Sequence, residues 1–183
     1  MTDTARARAP LAIHDGTEAD IAAVAAIYGH YVRTSLATFE EDPPSPAEMS
    51  LRRSDALAIG APFLVACDAQ GTVAGFAYAS HYRRRSAYRF TLEDSIYVAP
   101  DQTRRGIGQA LLASLVERCT AAGFRALVAV IGDSANLASI GLHEKLGFER
   151  TGLLPGVGFK LGRWVDNVIM HRPLGLGRTT PPL

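Results

Sequence analysis

Residues 94–112, DSIYVAPDQTRRGIGQALL, decide the fold. An apolar run typical of a strand ends at Pro100, and two arginines and a Gly-x-Gly segment lead from there into a stretch of helical composition. Glycines in such a strand–turn–helix unit let backbone N–H groups converge, and the start of the helix adds partial positive charge. Arg104 and Arg105 are suited to pairing with phosphate. The segment therefore predicts a site for a diphosphate or a similar anion.

Two common phosphate-binding patterns do not fit this loop. A dinucleotide fingerprint needs a third glycine at position 111, where this chain has Leu111. A P-loop needs lysine and then serine or threonine after Gly108, which is followed here by Gln109. Taken alone, the loop is also compatible with a tight strand-to-helix turn that binds nothing, and the surrounding segments are needed to choose.

The composition of the whole chain excludes several classes of protein. Its 183 residues suit one domain, and a formal net charge of +1 gives no broad field for nucleic acid. No apolar run is long enough to span a bilayer, and the first residues lack the apolar segment of a secretory signal. Cys67 and Cys119 form no metal or redox motif. We therefore expect a cytoplasmic protein without nucleic-acid or membrane partners.

The hydrophobic pattern predicts one α/β domain over residues 11–174, with flexible tails at 1–10 and 175–183. Helix-capping residues are Thr17 or Asp20 for a first helix and Ser45 for a second. Alternation of strands and helices in this order implies a single mixed central sheet with helices on both faces. The other predicted elements are strands at 11–14, 88–100 and 126–132, a hairpin at 62–82, helices at 108–122 and 136–147, and a closing hairpin of 150–154 with 166–174.

The order of these motifs resembles the GNAT family of N-acetyltransferases, whose members share a GNAT fold. The segments that carry the resemblance are SIYVAPDQTRRGIGQALL, ALVAVIG and NLASIGLHEKLGF. Three further segments narrow the resemblance to the phosphinothricin N-acetyltransferase branch: HYVRTSLATFEEDPPS, SAYRFTLEDSIYV and VGFKLGRWVDN. The resemblance implies an acetyl-CoA-dependent enzyme that acetylates the α-amino group of a small amino acid such as phosphinothricin, methionine sulfoximine or methionine sulfone. It also implies a homodimer.

The resemblance assigns the glycine loop to the pyrophosphate of acetyl-CoA and the preceding strand to its pantetheine arm. The family loop usually begins with Gln or Arg where this chain has Thr103, a departure that leaves the backbone cradle in place. Asn136 is an N-cap by its position, and the family adds a cofactor contact. The implied cofactor contacts are Ile96, Tyr97, Val98, Arg104, Arg105, Gly106, Ile107, Gly108, Gln109, Asn136 and Ser139.

Acetyl transfer needs a neutral amine, a donor for the thioester oxygen and a proton for the leaving thiolate. The resemblance places the catalytic base at Glu93, which is otherwise an exposed charge on a strand. Its neighbour Asp94 should face the other way if the strand alternates. His143 stands where the branch has a proton donor; the alternative is a half-buried helix histidine bonded to a carbonyl. Direct transfer requires no metal.

The acceptor side should recognise a carboxylate and an oxygen-rich tip. By alternation Arg83 and Arg85 share a face, and arginine suits bidentate capture of carboxylate or phosphinate, although most charge runs are solvated surface. Trp164 is either a substrate contact near a dimer partner or a hairpin residue packed on the core. The implied substrate contacts are Arg83, Arg85, Phe90, Thr91, Leu92, Phe39, Lys160 and Trp164.

Two rival functions remain open at this point. One is a GNAT acetyltransferase with another acceptor, such as a protein N-terminus or a different small amine. The other is a non-catalytic acetyl-CoA sensor. The arginines disfavour a cationic polyamine as acceptor, and Glu93 with His143 disfavours a sensor, which would need neither group.

Overall fold

The computed structural model describes residues 11–182, so the predicted N-terminal tail, residues 1–10, lies outside the described residues. Within this part of the chain, seven strands and four α-helices alternate in the order expected for an α/β domain. The elements are β1 Ala12–Asp15, α1 Ile21–Thr34, α2 Pro46–Ala58, β2 Phe63–Cys67, β3 Val73–His81, β4 Thr91–Val98, α3 Ile107–Ala121, β5 Ala126–Gly132, α4 Leu137–Lys145, β6 Glu149–Lys160 and β7 Arg163–Pro173.

The strands form one mixed sheet in the order β1-β2-β3-β4-β5-β7-β6. Strands β4 and β5 are parallel, and every other neighbouring pair is antiparallel. A parallel pair needs a crossover connection, and α3 supplies it between β4 and β5. The single mixed sheet predicted from the sequence is confirmed.

Helices cover both faces of the sheet, as predicted. Strand β2 shows this directly, because Phe63 and Val65 pack in a cluster with α1 while Leu64 and Ala66 pack in a cluster with α3. Such a strand is buried on both sides and reads as a continuous apolar run rather than an alternating one. The two clusters therefore form separate layers of core, one on each face.

The predicted capping residues begin the first two helices. Thr17 donates its N–H and its hydroxyl to the Asp20 carboxylate, at 2.7 and 2.8 Å, around a short 3-10 turn, and Asp20 is the N-cap of α1. Ser45 accepts from the Glu48 N–H at 3.3 Å, and Glu48 accepts from the Ser45 N–H at 2.6 Å. Both arrangements are capping boxes, which satisfy N–H groups that a helix leaves free.

The closing hairpin is longer than predicted. Strands β6 and β7 extend to Lys160 and Arg163 and turn through Leu161 and Gly162, both at positive φ, as a two-residue hairpin requires. The predicted strands are shorter because glycine and proline disfavour strands. In the structure, register shifts between residues 150 and 158 accommodate these residues within β6. The expectation that Trp164 packs on the core is wrong, since the residue is 69% exposed.

The C-terminal residues contact Arg125, which directly precedes β5. Arg125 donates to the carbonyls of Gly177 and Pro181, at 3.4 and 3.1 Å, and to the Thr180 hydroxyl at 3.3 Å. Flexibility of residues 175–183 stays a prediction. Across residues 11–182, no helix combines the length and the apolar character needed to cross a membrane.

Candidate active site

A cleft opens where β4 and β5 separate. The two strands pair only where Thr91–Glu93 meets Ala126–Val128. Beyond that point β4 continues along β3 to Val98, and β5 continues along β7 to Gly132. The gap between them forms a cavity of about 970 Å³, a size typical of sites for cofactors and small molecules.

The β4 edge of the cleft carries backbone hydrogen-bonding groups. The Ala99 N–H donates to the Ala74 carbonyl of β3 at 2.9 Å, and successive peptide groups of a strand point to alternate sides. The peptide groups of Ile96 and Val98 therefore face the cleft, where no described strand pairs with them. The Tyr31 hydroxyl donates to the Val98 carbonyl at 2.7 Å. An extended ligand with amide groups could pair along this edge.

Left-handed backbone shapes the turn from β4 into α3. Gly106 is the N-cap of α3 with φ +83°, and Arg104 has φ +61°. Glycine adopts this region without the steric cost that a Cβ brings. The turn points the free N–H groups of the first turn of α3 at the cleft. This is the geometry predicted for an anion site, and the residues of the turn that line the cleft are Arg104, Gly106, Ile107, Gly108 and Gln109.

The two arginines of the loop lie differently. Arg104 lines the cleft, whereas the Arg105 guanidinium donates to the Gln102 side chain and is not part of the lining. Thr103 also lines the cleft, and its hydroxyl donates to the Pro100 carbonyl at 3.3 Å. The residue that departs from the family pattern thus supports the turn locally.

The start of α4 forms the opposite wall. Asn136 is the N-cap, and its side-chain oxygen accepts from the Ser139 N–H at 3.2 Å. Both Asn136 and Ser139 line the cleft. Because that oxygen already caps the helix, any ligand contact of Asn136 falls to its other groups.

Glu93 lies in the cleft on the same face of β4 as Tyr97. Its carboxylate makes no hydrogen bond to any residue between 11 and 182. Burial and the charge of Asp94 raise the pKa of Glu93 to about 7, and the positive charge of Arg83 opposes this rise. A carboxyl group that titrates near neutral pH is suited to accept a proton from a bound ammonium group.

Asp94 and His143 form a buried pair beside the cleft. The imidazole Nε2 lies 3.0 Å from Asp94 Oδ2, and both side chains are 2% exposed. Nδ1 lies 2.8 Å from the Ser139 carbonyl, which can only accept, so Nδ1 carries a proton. The second oxygen of Asp94 has no partner among the described residues. Asp94 does face away from Glu93, as alternation predicts, but it meets His143 there.

This pair favours the protonated form of the imidazole. Burial alone would lower the pKa of His143, and the Asp94 carboxylate with the Ser139 carbonyl outweighs it, so the pKa is raised. Both ring nitrogens lie within hydrogen-bonding distance of partners within the protein. His143 lines the cleft, but one of these bonds must open before it can donate to a ligand.

Tyrosines cover the cleft on the Glu93 side. The Tyr28 and Tyr31 rings contact the Tyr97 ring, with centroids 4.8 and 5.3 Å apart. The Tyr28 hydroxyl bonds Thr38 Oγ1 at 2.8 Å. Burial raises the pKa of Tyr28 to about 12 and also raises that of Tyr31, so both hydroxyls stay protonated at neutral pH. This wall is apolar in its body and offers neutral hydroxyl groups at its rim.

The cleft between diverging parallel strands, with a glycine turn at its mouth, agrees with a known family. The model of the acetyltransferase (GNAT) family matches residues 24–148, more than half of the chain. The chain belongs to the GNAT family. Its fold is the GNAT fold, and its activity is that of an acetyltransferase.

Individual relatives are similar over nearly the whole chain. Phosphinothricin N-acetyltransferase of Alcaligenes faecalis is 53% identical over 89% of this chain and 82% of that protein. L-Methionine sulfoximine/L-methionine sulfone acetyltransferase of Pseudomonas aeruginosa is 41% identical over 92% and 98%. A solved GNAT phosphinothricin acetyltransferase from Sinorhizobium meliloti, in complex with AcCoA, superposes with a TM-score of 0.91 at 50% identity, covering 94% of this chain and 93% of that one.

Most GNAT cofactor residues predicted from the sequence come together in the cleft, and most predicted acceptor residues do not. The predicted residues that line it are Phe39, Glu93, Ile96, Tyr97, Val98, Arg104, Gly106, Ile107, Gly108, Gln109, Asn136, Ser139 and His143. Those outside the lining are Arg83, Arg85, Phe90, Thr91, Leu92, Arg105, Lys160 and Trp164.

The predicted acceptor arginines lie on the turn between β3 and β4, which precedes β4, whereas the glycine turn follows it. The Arg83 guanidinium stacks over the Tyr82 ring at 4.2 Å and donates to the Tyr82 carbonyl at 2.8 Å. Its charge reaches Glu93, because it acts on the pKa of that carboxyl. Arg85 is exposed beside it. A role for either arginine in substrate binding stays a prediction.

Two other predicted contacts lie elsewhere. Leu92 is fully buried in the core on the α3 face, so its side chain belongs to packing and not to the pocket. Lys160 is 3% exposed, and its ammonium donates to the Thr38 carbonyl at 2.8 Å instead of facing the cleft. The resemblance that suggested Leu92 and Lys160 does not determine the direction in which their side chains point.

Sequence reasoning missed several residues of the wall. Tyr28 and Tyr31 stand at the apolar spacing of an amphipathic helix, which indicates helix packing and not a cleft wall, and for Asp94 the sequence predicts only that it faces away from Glu93. Tyr78 and Ser80 line the cleft because β3 pairs them with Ser95 and Glu93, a register that the sequence alone does not show. Within residues 11–182, no group of three or more His, Cys, Asp or Glu side chains is arranged to hold a metal ion.

Proposed function

We propose that this acetyltransferase moves the acetyl group of acetyl-CoA to the α-amino group of a small amino acid with an oxygen-rich tetrahedral end. Phosphinothricin, methionine sulfoximine and methionine sulfone are the acceptor types. The observation that carries the proposal is Glu93, a carboxyl group with a pKa of about 7 in the same cleft that the glycine turn lines. The names of the relatives support the acceptor class.

The chain offers separate groups to the parts of acetyl-CoA. The N–H groups at the start of α3, with Arg104, suit its phosphates. The peptide groups of Ile96 and Val98 suit the amides of its pantetheine arm, which would run along the edge of β4. Both sets of groups face the same cleft, so the thioester can lie close to Glu93.

The reaction balances with one base. Glu93 takes a proton from the acceptor ammonium, and the neutral amine attacks the thioester carbonyl carbon. A C–N bond forms and the C–S bond breaks, and the attacking nitrogen loses its second proton as the amide forms, which balances the proton taken up by the departing CoA thiolate. Backbone N–H groups of β4 at the cleft edge are suited to stabilise the negative charge on the carbonyl oxygen. His143 remains a predicted proton donor, and the bond to Asp94 makes a supporting, charge-balancing role equally compatible with its position.

We also propose a homodimer, formed through the β6–β7 hairpin. Six of the twelve exposed large apolar side chains among residues 11–182 belong to this hairpin patch, which monomeric surfaces seldom concentrate in one place. A second copy of the same chain would bury the patch symmetrically. The members of the hairpin patch are Leu153, Leu154, Val157, Phe159, Leu161 and Trp164. A cytoplasmic location is part of the same proposal, supported by two free, buried cysteines, Cys67 and Cys119.

The test is thiol release from acetyl-CoA with a panel of acceptors: phosphinothricin, methionine sulfoximine, methionine sulfone, spermidine and a short peptide. We expect turnover with the first three only. Glu93→Gln should lower kcat/KM roughly 100-fold or more, the usual contribution of a general base. Glu144→Gln, at an exposed ion pair with Arg150, is the matched control and should keep full activity. Full kcat/KM in Glu93→Gln across pH would exclude Glu93 as the base.

A further inference from the structure

The loop between α1 and α2, residues 35–45, closes the cleft on the Glu93 side. Ala37, Thr38, Phe39 and Glu40 line the cleft from this loop. In the proposed function this is the acceptor end, because the base lies there and the glycine turn lies at the other end. The position of the loop therefore sets the space that an acceptor side chain can occupy.

A buried ammonium group holds the middle of this loop. Lys160, the last residue of β6, is 3% exposed, and its Nζ donates to the Thr38 carbonyl at 2.8 Å. Burial lowers the pKa of Lys160, and the charges of Glu41 and Glu40 act to raise it. A lysine is rarely buried unless its ammonium has partners, and here its hydrogen-bond partner is the backbone of the cleft wall.

Bare backbone on two strands lets the loop approach. A Cβ at Gly158 of β6 would overlap the Phe39 ring, and a Cβ at Gly132 of β5 would overlap the Leu36 carbonyl oxygen. A larger residue at Gly132 would push against the backbone of the loop itself, and one at Gly158 would push the Phe39 ring out of its place in the cleft wall. The sheet therefore presents two glycines and one lysine to the same short segment.

The helices hold the loop from its other side. The Tyr28 hydroxyl of α1 bonds Thr38 Oγ1 at 2.8 Å. Arg52 of α2 binds both oxygens of the Glu40 carboxylate, at 2.8 and 2.9 Å. Bidentate pairs of this kind fix orientation as well as distance. The helices thus hold the loop through Tyr28 and Arg52. From the sheet, the charged side chain that holds it is Lys160.

We propose that Lys160 is a positioning residue: its bond to the Thr38 carbonyl holds residues 37–40 as the wall of the acceptor pocket, and so sets which acceptors fit. The inference rests on the proposed function for the identity of the pocket. It replaces direct contact between Lys160 and the substrate, because the ammonium points into the protein and not into the cleft.

The experiment compares Lys160→Met with the wild-type enzyme. Methionine keeps a long apolar side chain and removes the ammonium. We expect KM for the amino acid to rise at least ~10-fold, the loss typical of a charge-assisted hydrogen bond, with KM for acetyl-CoA unchanged. KM should rise by the same factor for the amino acid and for its α-carboxamide. A selective loss for the carboxylate form would show direct contact and overturn the proposal.

A second variant reaches the loop by another route. Gly158→Ala places a methyl group against Phe39 and leaves the ammonium in place. It should also raise KM for the acceptor and spare acetyl-CoA, and it carries the test if Lys160→Met does not fold. Arg163→Gln, on the same hairpin but at an exposed ion pair with Asp133, is the control and should behave as wild type. Unchanged acceptor KM in Gly158→Ala contradicts the proposal.

Hydrogen exchange separates this inference from the proposed function. Amides of residues 35–42 should exchange faster in Lys160→Met than in wild type, with the amides of α3 unchanged, whether or not any acceptor is turned over. If wild type acetylates none of the panel, the proposed function fails while this comparison still decides whether Lys160 holds the loop. Unchanged exchange in the loop overturns the inference.

Discussion

At the scale of single residues, the cleft is governed by three charges around one carboxyl group. Burial and the charge of Asp94 raise the pKa of Glu93, and the positive charge of Arg83 lowers it. Asp94 is in turn balanced by His143. The ionisation of the base is therefore a property of the group of four side chains, and each member can be tested through pH.

Arg83→Gln should move the acid limb of the kcat/KM profile to higher pH. The active form has Glu93 ionised, so activity falls as pH drops through the pKa of about 7. Removing the positive charge removes the influence that lowers this pKa, and more Glu93 is then protonated at a given pH. The profile should be measured at low and high salt, because salt screens the effect of an exposed arginine. An unshifted limb at low salt contradicts the prediction, and Arg84→Gln is the control.

Asp94→Asn should cost stability mainly at acid pH. The pKa of His143 is raised in the folded protein. Its charged form therefore contributes fully to the free energy of unfolding below the ordinary histidine pKa of about 6.5, and this contribution is lost as pH rises through the pKa of the folded protein. We expect a loss of about 2 kcal/mol near pH 6, as for a buried charge-assisted hydrogen bond, and a smaller loss near pH 9. Urea denaturation at both values of pH measures it.

The matched control for this prediction is Asp101→Asn, which removes an exposed carboxylate from a turn. Its stability should follow wild type at both pH values. A loss in Asp94→Asn that is equal at pH 6 and pH 9 would mean that the pair stabilises the fold by packing and not through the charge on His143.

At the scale of elements, the turn from β4 into α3 depends on one backbone conformation. Gly106 has φ +83° at the N-cap, which a β-branched residue strongly disfavours. The N–H groups of α3 face the cleft only while this conformation is kept. The proposed anion site is therefore the whole element and not any one side chain.

Gly106→Val should abolish acetyl-CoA binding measured by calorimetry. The substitution forces the turn to rearrange and moves the N–H groups away from the cleft. Gly71→Val is a matched control, since Gly71 also has positive φ, +80°, in the turn between β2 and β3 with open space around it. It should lose a similar stability, roughly 1 kcal/mol or more, yet bind acetyl-CoA normally. Normal binding in Gly106→Val would refute the assignment of this turn.

At the scale of the whole molecule, the β6–β7 hairpin joins a surface to a site. It carries the hairpin patch, and it also carries Gly158 and Lys160 against the loop that lines the cleft. A partner bound to the patch would therefore rest on the same hairpin that holds the acceptor wall. Dimerisation and acceptor binding are expected to be coupled through this one element.

Trp164→Glu should convert the proposed dimer to a monomer. A carboxylate in the centre of an apolar interface would be desolvated without a partner, which opposes association. Light scattering after size exclusion gives the mass directly. Leu51→Glu, at an exposed leucine of α2 outside the patch, is the control and should leave the mass unchanged. A wild-type protein that is monomeric at micromolar concentration would contradict the dimer itself.

The sequence by itself determined the layers of the fold and the glycine turn, because both depend on local chemistry. Apolar periodicity, capping residues such as Ser45 and the glycines around residue 106 act within a few positions of the chain. The tertiary structure decided the rest of the site. The pairing of Asp94 with His143, the direction of Lys160 and the wall built by Tyr28 and Tyr78 join residues far apart in the chain, and only the separation of β4 from β5 brings them around one cleft.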